Sequence, residues 1–346
     1  MNRPLAAFCA VIALVARIAA TPAEAKTLSS PLEHACPVVM HRPDGQSSIR
    51  EQIAHTPRGD IAYYRFGHGS PIVLQTGYRA TLSEWDAAFL ADLAKRHEVI
   101  VFDNRGIGRS MPDASAFTVQ DMANDLAALI DTLKLRDVTV LGWSMGGAVA
   151  TQLALDHPAN VQRLVLMSAP APGRLGVPVA PQIEATLAGK PGTTFDDVMK
   201  VLFPPSAVHA AGECFRNNMF TPADYAPPAI SEAVTNGQSA LLRAWEQNDD
   251  AAGALPAMHI DTLVLTGDDD TILPKQNAEA LARTLPDAQL LVVRSAGHAM
   301  MYQYPHALAA AIDRFIAQPH SRRIANAASD LKGAGLADTL AVANQG

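Results

Sequence analysis

The stretch Gly142-Trp143-Ser144-Met145-Gly146-Gly147 decides the fold, because it places a serine between a predicted strand and a predicted helix. Residues 138–141 form a short apolar run typical of a buried strand, and the helical pattern that starts at about residue 145 stops before Pro158. A Gly-x-Ser-x-Gly pattern in that context predicts a nucleophile elbow, a sharp turn that strains the serine backbone and exposes its hydroxyl. The neighbouring glycines let chain segments approach closely. Ser144 is therefore the candidate nucleophile.

The sequence around this stretch alternates short β-rich apolar runs with helical patterns, which predicts a mostly parallel sheet flanked by helices. Predicted strands cover about residues 53–56, 61–66, 71–76, 97–102, 138–141, 161–167, 260–266 and 289–293, the first two joined as an antiparallel pair by a turn. Predicted helices outside the central insertion cover about residues 82–95, 118–135, 145–157 and 305–317. The predicted fold class is therefore α/β.

The regular alternation disappears between residues 172 and 256, where the chain is rich in proline and in large apolar residues. Short helices are predicted at 194–203, with a Thr194/Asp197 capping box, and at 239–247. We interpret this segment as a helical cap inserted into the core. The predicted organisation is an N-terminal extension at 26–49, core at 50–171, cap at 172–256, core at 257–318 and a loosely ordered tail at 319–346.

The first 25 residues resemble a secretory signal peptide, with Arg3 before an apolar run and Ala23-Glu24-Ala25 at the end. The apolar run is too short to span a bilayer, and the alternative is an uncleaved N-terminal helix. Cleavage predicts an exported protein, periplasmic or extracellular. Cys36 and Cys214 would then remain in an oxidising compartment, which predicts a disulfide between them; two buried thiols are the alternative.

Composition narrows the classes of function. Hydrophobic residues make up 49% and charged residues 18%, which fits a globular protein and excludes a disordered one. The net charge of −7 provides no basic field for nucleic acid or an anionic membrane. The sequence has no zinc-type Cys/His spacing and no phosphate-binding Gly-Lys-Ser/Thr loop. We therefore expect a small-molecule substrate, no metal and no cofactor, and the oligomeric state stays open.

Two later motifs complete a resemblance. Gly267-Asp268-Asp269-Asp270-Thr271-Ile272-Leu273-Pro274 follows one predicted strand, and Ser295-Ala296-Gly297-His298 follows the next. The order serine, aspartate, histidine over residues 50–318 resembles the α/β-hydrolase family, of the exported serine-esterase type. The resemblance implies a twisted, mostly parallel sheet with a cap, and a catalytic triad of Ser144, Asp270 and His298. Asp268 and Asp269 are the rival candidates for the acid.

The resemblance also implies an oxyanion hole and a role for another motif. The backbone N–H of Met145 is the first expected donor, and the N–H of Tyr78 is the second, although this chain has Thr76-Gly77 where relatives usually carry His-Gly. The stretch 103–110 resembles the family's Asp-x-Arg-Gly-x-Gly-x-Ser motif and is expected to shape the turn behind the elbow. Arg79 is expected at the surface, with an approach to the site as the alternative.

Four aromatic residues are candidates for the substrate pocket, with a place in the core as the alternative: Trp143, Phe203, Phe220 and Trp245. A cap rich in Leu, Met and Phe indicates an uncharged, partly apolar substrate. The leading expectation is a carboxylic-ester hydrolase that forms an acyl-enzyme on Ser144.

Several other functions stay open. The same triad serves lactonases, proline-iminopeptidase-like aminopeptidases, carbon–carbon hydrolases and cofactor-free haloperoxidases or perhydrolases. The aminopeptidase would need carboxylates in the cap to hold a free amine, for which four glutamates are available: Glu184, Glu213, Glu232 and Glu246. A non-catalytic binding protein on the same scaffold and an envelope structural protein are the remaining alternatives.

Overall fold

One twisted sheet organises the chain. The computed structural model describes residues 26–28, 49–111, 114 and 117–319. The strands described there are β1 Lys26–Leu28, β2 Gln52–Thr56, β3 Gly59–Gly67, β4 Ser70–Gln75, β5 His97–Phe102, β6 Thr139–Trp143, β7 Arg163–Met167, β8 Asp261–Gly267 and β9 Ala288–Val293. Their order is β1-β9-β8-β7-β6-β4-β5-β3-β2. Pairing is antiparallel between β2 and β3 and between β3 and β5, and parallel elsewhere. The predicted α/β fold is therefore confirmed.

Ten α-helices lie in the described part of the chain: α1 Ala87–Leu93, α2 Val119–Thr132, α3 Met145–Asp156, α4 Pro181–Leu187, α5 Phe195–Leu202, α6 Val208–Asn217, α7 Glu232–Trp245, α8 Asp249–Ala254, α9 Gln276–Thr284 and α10 Pro305–Ile316. Helices α1 and α10 pack together on one face of the sheet, whereas α2 and α3 pack on the other. Both faces are thus covered, and for this reason β6 and β7 are buried along their whole length. Among the described helices we find none that combines the length and the hydropathy of a bilayer-spanning segment.

The strand order reverses beside β4, and this reversal positions the site. Strand β4 lies between β5 and β6, with Leu74 paired to Val101 on one side and to Leu141 on the other. The chain leaves β4 toward α1 and leaves β6 directly into α3, on opposite faces. A crevice opens outside the carboxyl ends of the strands at such a switch point. Residues 76–81 and Ser144 flank this crevice.

The predicted helix over 82–95 is wrong in its first half. A short 3₁₀ turn, Leu82–Glu84, comes first, and Trp85 and Asp86 are extended. The Asp86 carboxylate accepts a hydrogen bond from the Phe89 N–H at 2.8 Å, so it caps α1 at its N-terminus and restarts the helix there.

The insertion between β7 and β8 contains α4 to α8. The capping box of Thr194 and Asp197 is confirmed at the start of α5. The helix predicted at 239–247 begins earlier, as α7, because Ser231 accepts a hydrogen bond from the Val234 N–H and caps it. The sequence analysis did not predict β1 or α9. The expected signal peptide, Cys36 and residues 320–346 of the tail lie outside the described residues.

Candidate active site

Ser144 lies at a strained turn between β6 and α3. Its backbone has φ 56° and ψ −126°, a conformation that residues with a Cβ rarely adopt. The turn is tight because two glycines let neighbouring segments meet: a Cβ on Gly146 would collide with the Gln75 carbonyl, and a Cβ on Gly147 with Ala169. The predicted strand–turn–helix context of the elbow is therefore present.

Asp270 and His298 are brought together from two different loops. Asp270 follows β8 and His298 follows β9, and both side chains are buried. The imidazole Nδ1 lies 2.9 Å from Asp270 Oδ2, so an Nδ1–H donates to the carboxylate and Nε2 is left as the basic nitrogen. Asp270 Oδ1 also accepts from the N–H groups of Ile272 at 3.0 Å and Leu273 at 2.9 Å. These bonds fix the carboxylate and, through it, the ring.

Trp143 holds His298 from the other side. Its indole Nε1 donates to the His298 carbonyl at 3.0 Å, and the centroids of the two rings are 5.8 Å apart. His298 and Ser144 line the same cavity. The geometry thus places a nucleophile candidate, a base candidate and the carboxylate that orients the base around one opening.

The two expected oxyanion donors belong to backbone segments next to Ser144. Met145 begins α3, and the N–H groups of the first helical turn have no partner within the helix. The loop that carries Tyr78 comes directly after β4 and passes close to Ser144. A Cβ on Gly77 would lie 3.1 Å from the Ser144 Cβ. Both backbones therefore lie beside the candidate nucleophile, and the oxyanion hole formed by Met145 and Tyr78 stays a prediction.

The stretch 103–110 supports the loop after β4 more directly than the turn behind the elbow. Asp103 accepts hydrogen bonds from the Leu82 N–H at 2.8 Å and the Tyr225 hydroxyl at 2.9 Å. Asn104 accepts from Gln75 and donates to Thr76 Oγ1 at 3.0 Å. Burial raises the pKa of Asp103 to about 6. This motif therefore fixes the two ends of the segment that carries Tyr78.

The cavity at Ser144 has a volume of about 270 Å³. Most of its wall is apolar and comes from the cap and the loop after β8, including Leu187, Phe195, Val198, Met199, Leu202, Phe215, Met219 and Ile272. A second, smaller cavity of about 50 Å³ also meets Ser144, Met145 and Tyr78. The candidate nucleophile thus lies where two cavities meet, an arrangement suited to the two halves of a cleavable substrate.

Only one of the four predicted pocket aromatics, Trp143, lines the larger cavity. Phe203, Phe220 and Trp245 are instead buried in the hydrophobic core. Phe220 packs on the rings of Tyr64 and Phe66, and the Trp245 indole donates to the Pro170 carbonyl. The pocket prediction is wrong for these three residues, whose rings pack in the core, the alternative that the sequence left open.

The structure also places two charged residues in the larger cavity. Arg79, for which the surface was expected and an approach to the site was the alternative, is half-buried and lines it. Glu84, which the sequence analysis did not single out, lines it too. Burial raises the pKa of Glu84 to about 7. The one signal in the sequence was the Thr-Gly-Tyr-Arg loop itself, which departs from the usual His-Gly pattern.

Two of the four cap glutamates reach the smaller cavity. Glu184 and Glu246 line it together with Arg243, whose guanidinium lies 3.1 Å from Glu184. Burial raises the pKa of Glu246. Glu213 and Glu232 are exposed on α6 and α7 and line neither cavity.

Cys214 is buried on α6. Its predicted partner Cys36 lies outside the described residues, so the bridge stays a prediction. No group of three or more His, Cys, Asp or Glu side chains in the described ranges is placed to hold a metal ion.

Comparison with known proteins gives a consistent group of relatives. The sequence model of the alpha/beta hydrolase fold matches residues 70–305. The putative non-heme chloroperoxidase of Synechocystis sp. is 29% identical over 71% of this chain and 90% of its own length. The poly(3-hydroxyalkanoate) depolymerase of Ectopseudomonas oleovorans is 28% identical over 74% of this chain and 88% of its own. The solved structure of a thermophilic esterase from Thermogutta terrifontis superposes with a TM-score of 0.63 and 27% identity, covering 79% of this chain and 100% of that one.

Proposed function

Because the chain belongs to the alpha/beta hydrolase fold family, we propose that it is a serine hydrolase that cleaves a small, partly apolar carboxylic ester through an acyl-enzyme on Ser144. One observation carries the proposal: a histidine oriented by a buried carboxylate faces the same cavity as a serine held at a strained elbow. Ser144, His298 and Asp270 supply the nucleophile, the base and the group that orients the base.

The proposed reaction has two halves. Neutral His298 accepts the Ser144 hydroxyl proton at Nε2 as Oγ attacks the ester carbonyl, and the protonated ring then gives that proton to the departing alcohol. Water repeats the sequence on the acyl-enzyme, which releases the acid and restores Ser144. Asp270 stays ionised and stabilises the imidazolium formed in both halves.

The negative charge that develops on the carbonyl oxygen requires donors that are already in place. We propose the N–H groups of Met145 and Tyr78 for this purpose, because both belong to backbone segments next to Ser144. Loss of one such donor typically costs about 100- to 1,000-fold in turnover. The buried bonds of Asp103 and Asn104 to the ends of the Tyr78 loop keep the second donor positioned between turnovers.

The cavity supports a small, partly apolar substrate. Its charged residues, however, change the expectation that the substrate is uncharged. Its apolar wall accommodates an alkyl or aryl group. Composition of the cap predicted no charge at the site, whereas Arg79 and Glu84 come from the loop after β4. The solved structure of an esterase among the relatives supports an ester as the substrate class.

An aminopeptidase is the second candidate, because Glu184 and Glu246 line the smaller cavity beside Ser144. Their carboxylates would hold the free amine of a peptide substrate. Arg243 already pairs with Glu184, which leaves Glu246 as the available carboxylate. The ester hydrolase is favoured because the larger cavity supplies an apolar wall on the side of His298.

Labelling with a fluorophosphonate probe tests the nucleophile. The wild type should be labelled and Ser144→Ala should not, whereas Ser206→Ala, an exposed serine on the cap, should be labelled like the wild type. Equal labelling of Ser144→Ala and wild type would refute the assignment.

A substrate panel tests the reaction class. p-Nitrophenyl esters from acetate to dodecanoate should be hydrolysed, with a maximum at the chain length that fills the cavity. Cleavage restricted to amino-acyl arylamides would instead establish the aminopeptidase.

We also propose that the enzyme is exported, on the strength of the signal-like residues 1–25. An oxidising compartment would permit the bridge between Cys36 and Cys214.

A further inference from the structure

We propose that Arg79 determines substrate specificity by binding a carboxylate on the part of the substrate that occupies the larger cavity. This inference rests on the proposed ester hydrolysis and names the substrate class: a monoester that carries a second, ionised carboxyl group.

The Arg79 side chain is held at the cavity by the cap. Its Nη1 donates to the Leu187 carbonyl at 2.8 Å. Gly189 makes room for it, since a Cβ there would lie 2.7 Å from Nη1. The guanidinium is thus fixed against the cap while it lines the same cavity as Ser144 and His298.

The Arg79 backbone is held as firmly as its side chain. It has φ 50°, a conformation that residues other than glycine rarely adopt. Its N–H donates at 2.8 Å to the side-chain oxygen of Gln238, which is fully buried. Strain of this kind persists only where surrounding contacts fix it, and it concentrates at functional sites. The orientation of Arg79 is therefore built into the junction between the loop and the cap.

The guanidinium retains unused donors. Arg79 Nε is buried and has no hydrogen-bond partner among the described residues. Of the donors on the planar fork, only Nη1 has a partner in that part of the chain, the Leu187 carbonyl. Burial of an unsatisfied donor costs free energy, which a bound acceptor group would recover. A carboxylate matches a guanidinium fork in both charge and geometry.

The other charged groups at the cavity affect how well Arg79 can bind a carboxylate. Glu84 and His298 also line it, and Asp103 lies close enough to act on Glu84 from the loop after β5. The positive charge of Arg79 opposes the rise in the pKa of Glu84, so the two groups attract each other, although the described residues contain no ion pair between them. A substrate carboxylate that binds Arg79 would therefore displace no ion-pair partner but would lie near Glu84.

Two matched pairs of esters test the proposal on both halves of a substrate. The first pair is p-nitrophenyl hydrogen adipate and its methyl ester, with the charge on the acyl side. The second is 4-acetoxybenzoate and its methyl ester, with the charge on the leaving group. The measured quantity is the ratio of kcat/KM for the anionic ester to that for its neutral partner.

For Arg79→Met we expect this ratio to fall about 10- to 100-fold in one of the two pairs, mainly through KM of the anionic ester. Arg79→Lys should retain part of the ratio, because it keeps the charge but loses the planar fork. Arg96→Met, which removes an exposed arginine outside the cavity, should leave both ratios unchanged.

Other outcomes separate this inference from the proposed function. If Arg79→Met slows the charged and neutral esters of both pairs equally while the fluorophosphonate still labels it, Arg79 only supports the loop and the inference is overturned. A wild-type protein that neither reacts with the probe nor hydrolyses the methyl esters would overturn the proposed function itself.

Discussion

Replacing Asp270 with asparagine is the most informative single change at the candidate site. The carboxylate accepts from His298 Nδ1 through Oδ2, at 2.9 Å, and from the Ile272 and Leu273 N–H groups through Oδ1. An asparagine can keep its carbonyl oxygen on the two backbone donors, and its NH₂ group then faces His298. Because NH₂ donates, the ring must present an unprotonated Nδ1 and carry its proton on Nε2. The base that faces Ser144 is lost, although the shape of the site is retained.

The expected loss of activity follows from the loss of the correct His298 tautomer. In a serine enzyme with the same constellation, the equivalent change lowers kcat by about 10⁴-fold. This corresponds to roughly 5.5 kcal/mol of transition-state stabilisation. We expect a loss of that order in kcat for p-nitrophenyl acetate in Asp270→Asn, with a smaller change in KM.

The neighbouring residue provides a matched control. Asp269 precedes Asp270 in the chain and is exposed, so Asp269→Asn removes the same charge from the same loop without touching His298. The assay is steady-state hydrolysis at pH 7.5, with circular dichroism to verify folding. A turnover for Asp270→Asn within tenfold of the wild type, or an equal loss in Asp269→Asn, would refute the proposed role of Asp270.

Two further predictions concern stability and processing. Burial raises the pKa of Asp86 to about 7 from its usual value near 3.8, so the folded chain holds a proton that the unfolded chain releases. The contribution to stability is fully present below pH about 4 and is lost as the pH rises through 7, by up to about 4 kcal/mol. Asp86→Asn preserves the helix cap but cannot titrate. Its free energy of unfolding in urea should therefore fall less between pH 5 and pH 8 than that of the wild type. An equal fall in both proteins would contradict this prediction. Mass spectrometry of the unreduced exported protein should find Lys26 at its N-terminus and a peptide linking Cys36 to Cys214, whereas two alkylatable thiols would exclude the bridge.

The sequence was sufficient to predict those features in which one local pattern dictates one local structure. The apolar runs that precede Ser144 and Asp270 are buried along their whole length, whereas the run before His298 is fully buried only at Leu290 and Val293. All three runs could be recognised from the local sequence without knowledge of their neighbours. The resemblance to the α/β-hydrolase family, which rests on the order of the three motifs, then predicted which loops would meet. The capping box of Thr194 is a similar case, since its contacts span only three residues.

The remaining features depend on contacts between distant segments. The position of Arg79 is set by Leu187 and Gln238, more than 100 residues away, and no local pattern encodes that meeting. An aromatic residue such as Phe220 is equally suited to a pocket wall and a core, and only packing against Tyr64 decides between them. Strand β1 is three residues long and owes its existence to pairing with β9.

The contacts between the cap and the loop after β4 mean that the two cannot move independently. Gln238 and Leu187 bind Arg79, and the Tyr78 hydroxyl lies 2.9 Å from Ser239 Oγ on α7. A cap that lifts to admit a substrate must either break these three bonds or carry the Tyr78 amide away from Ser144. A displacement of the cap that keeps these three bonds would therefore also move the loop that carries Tyr78 and Arg79.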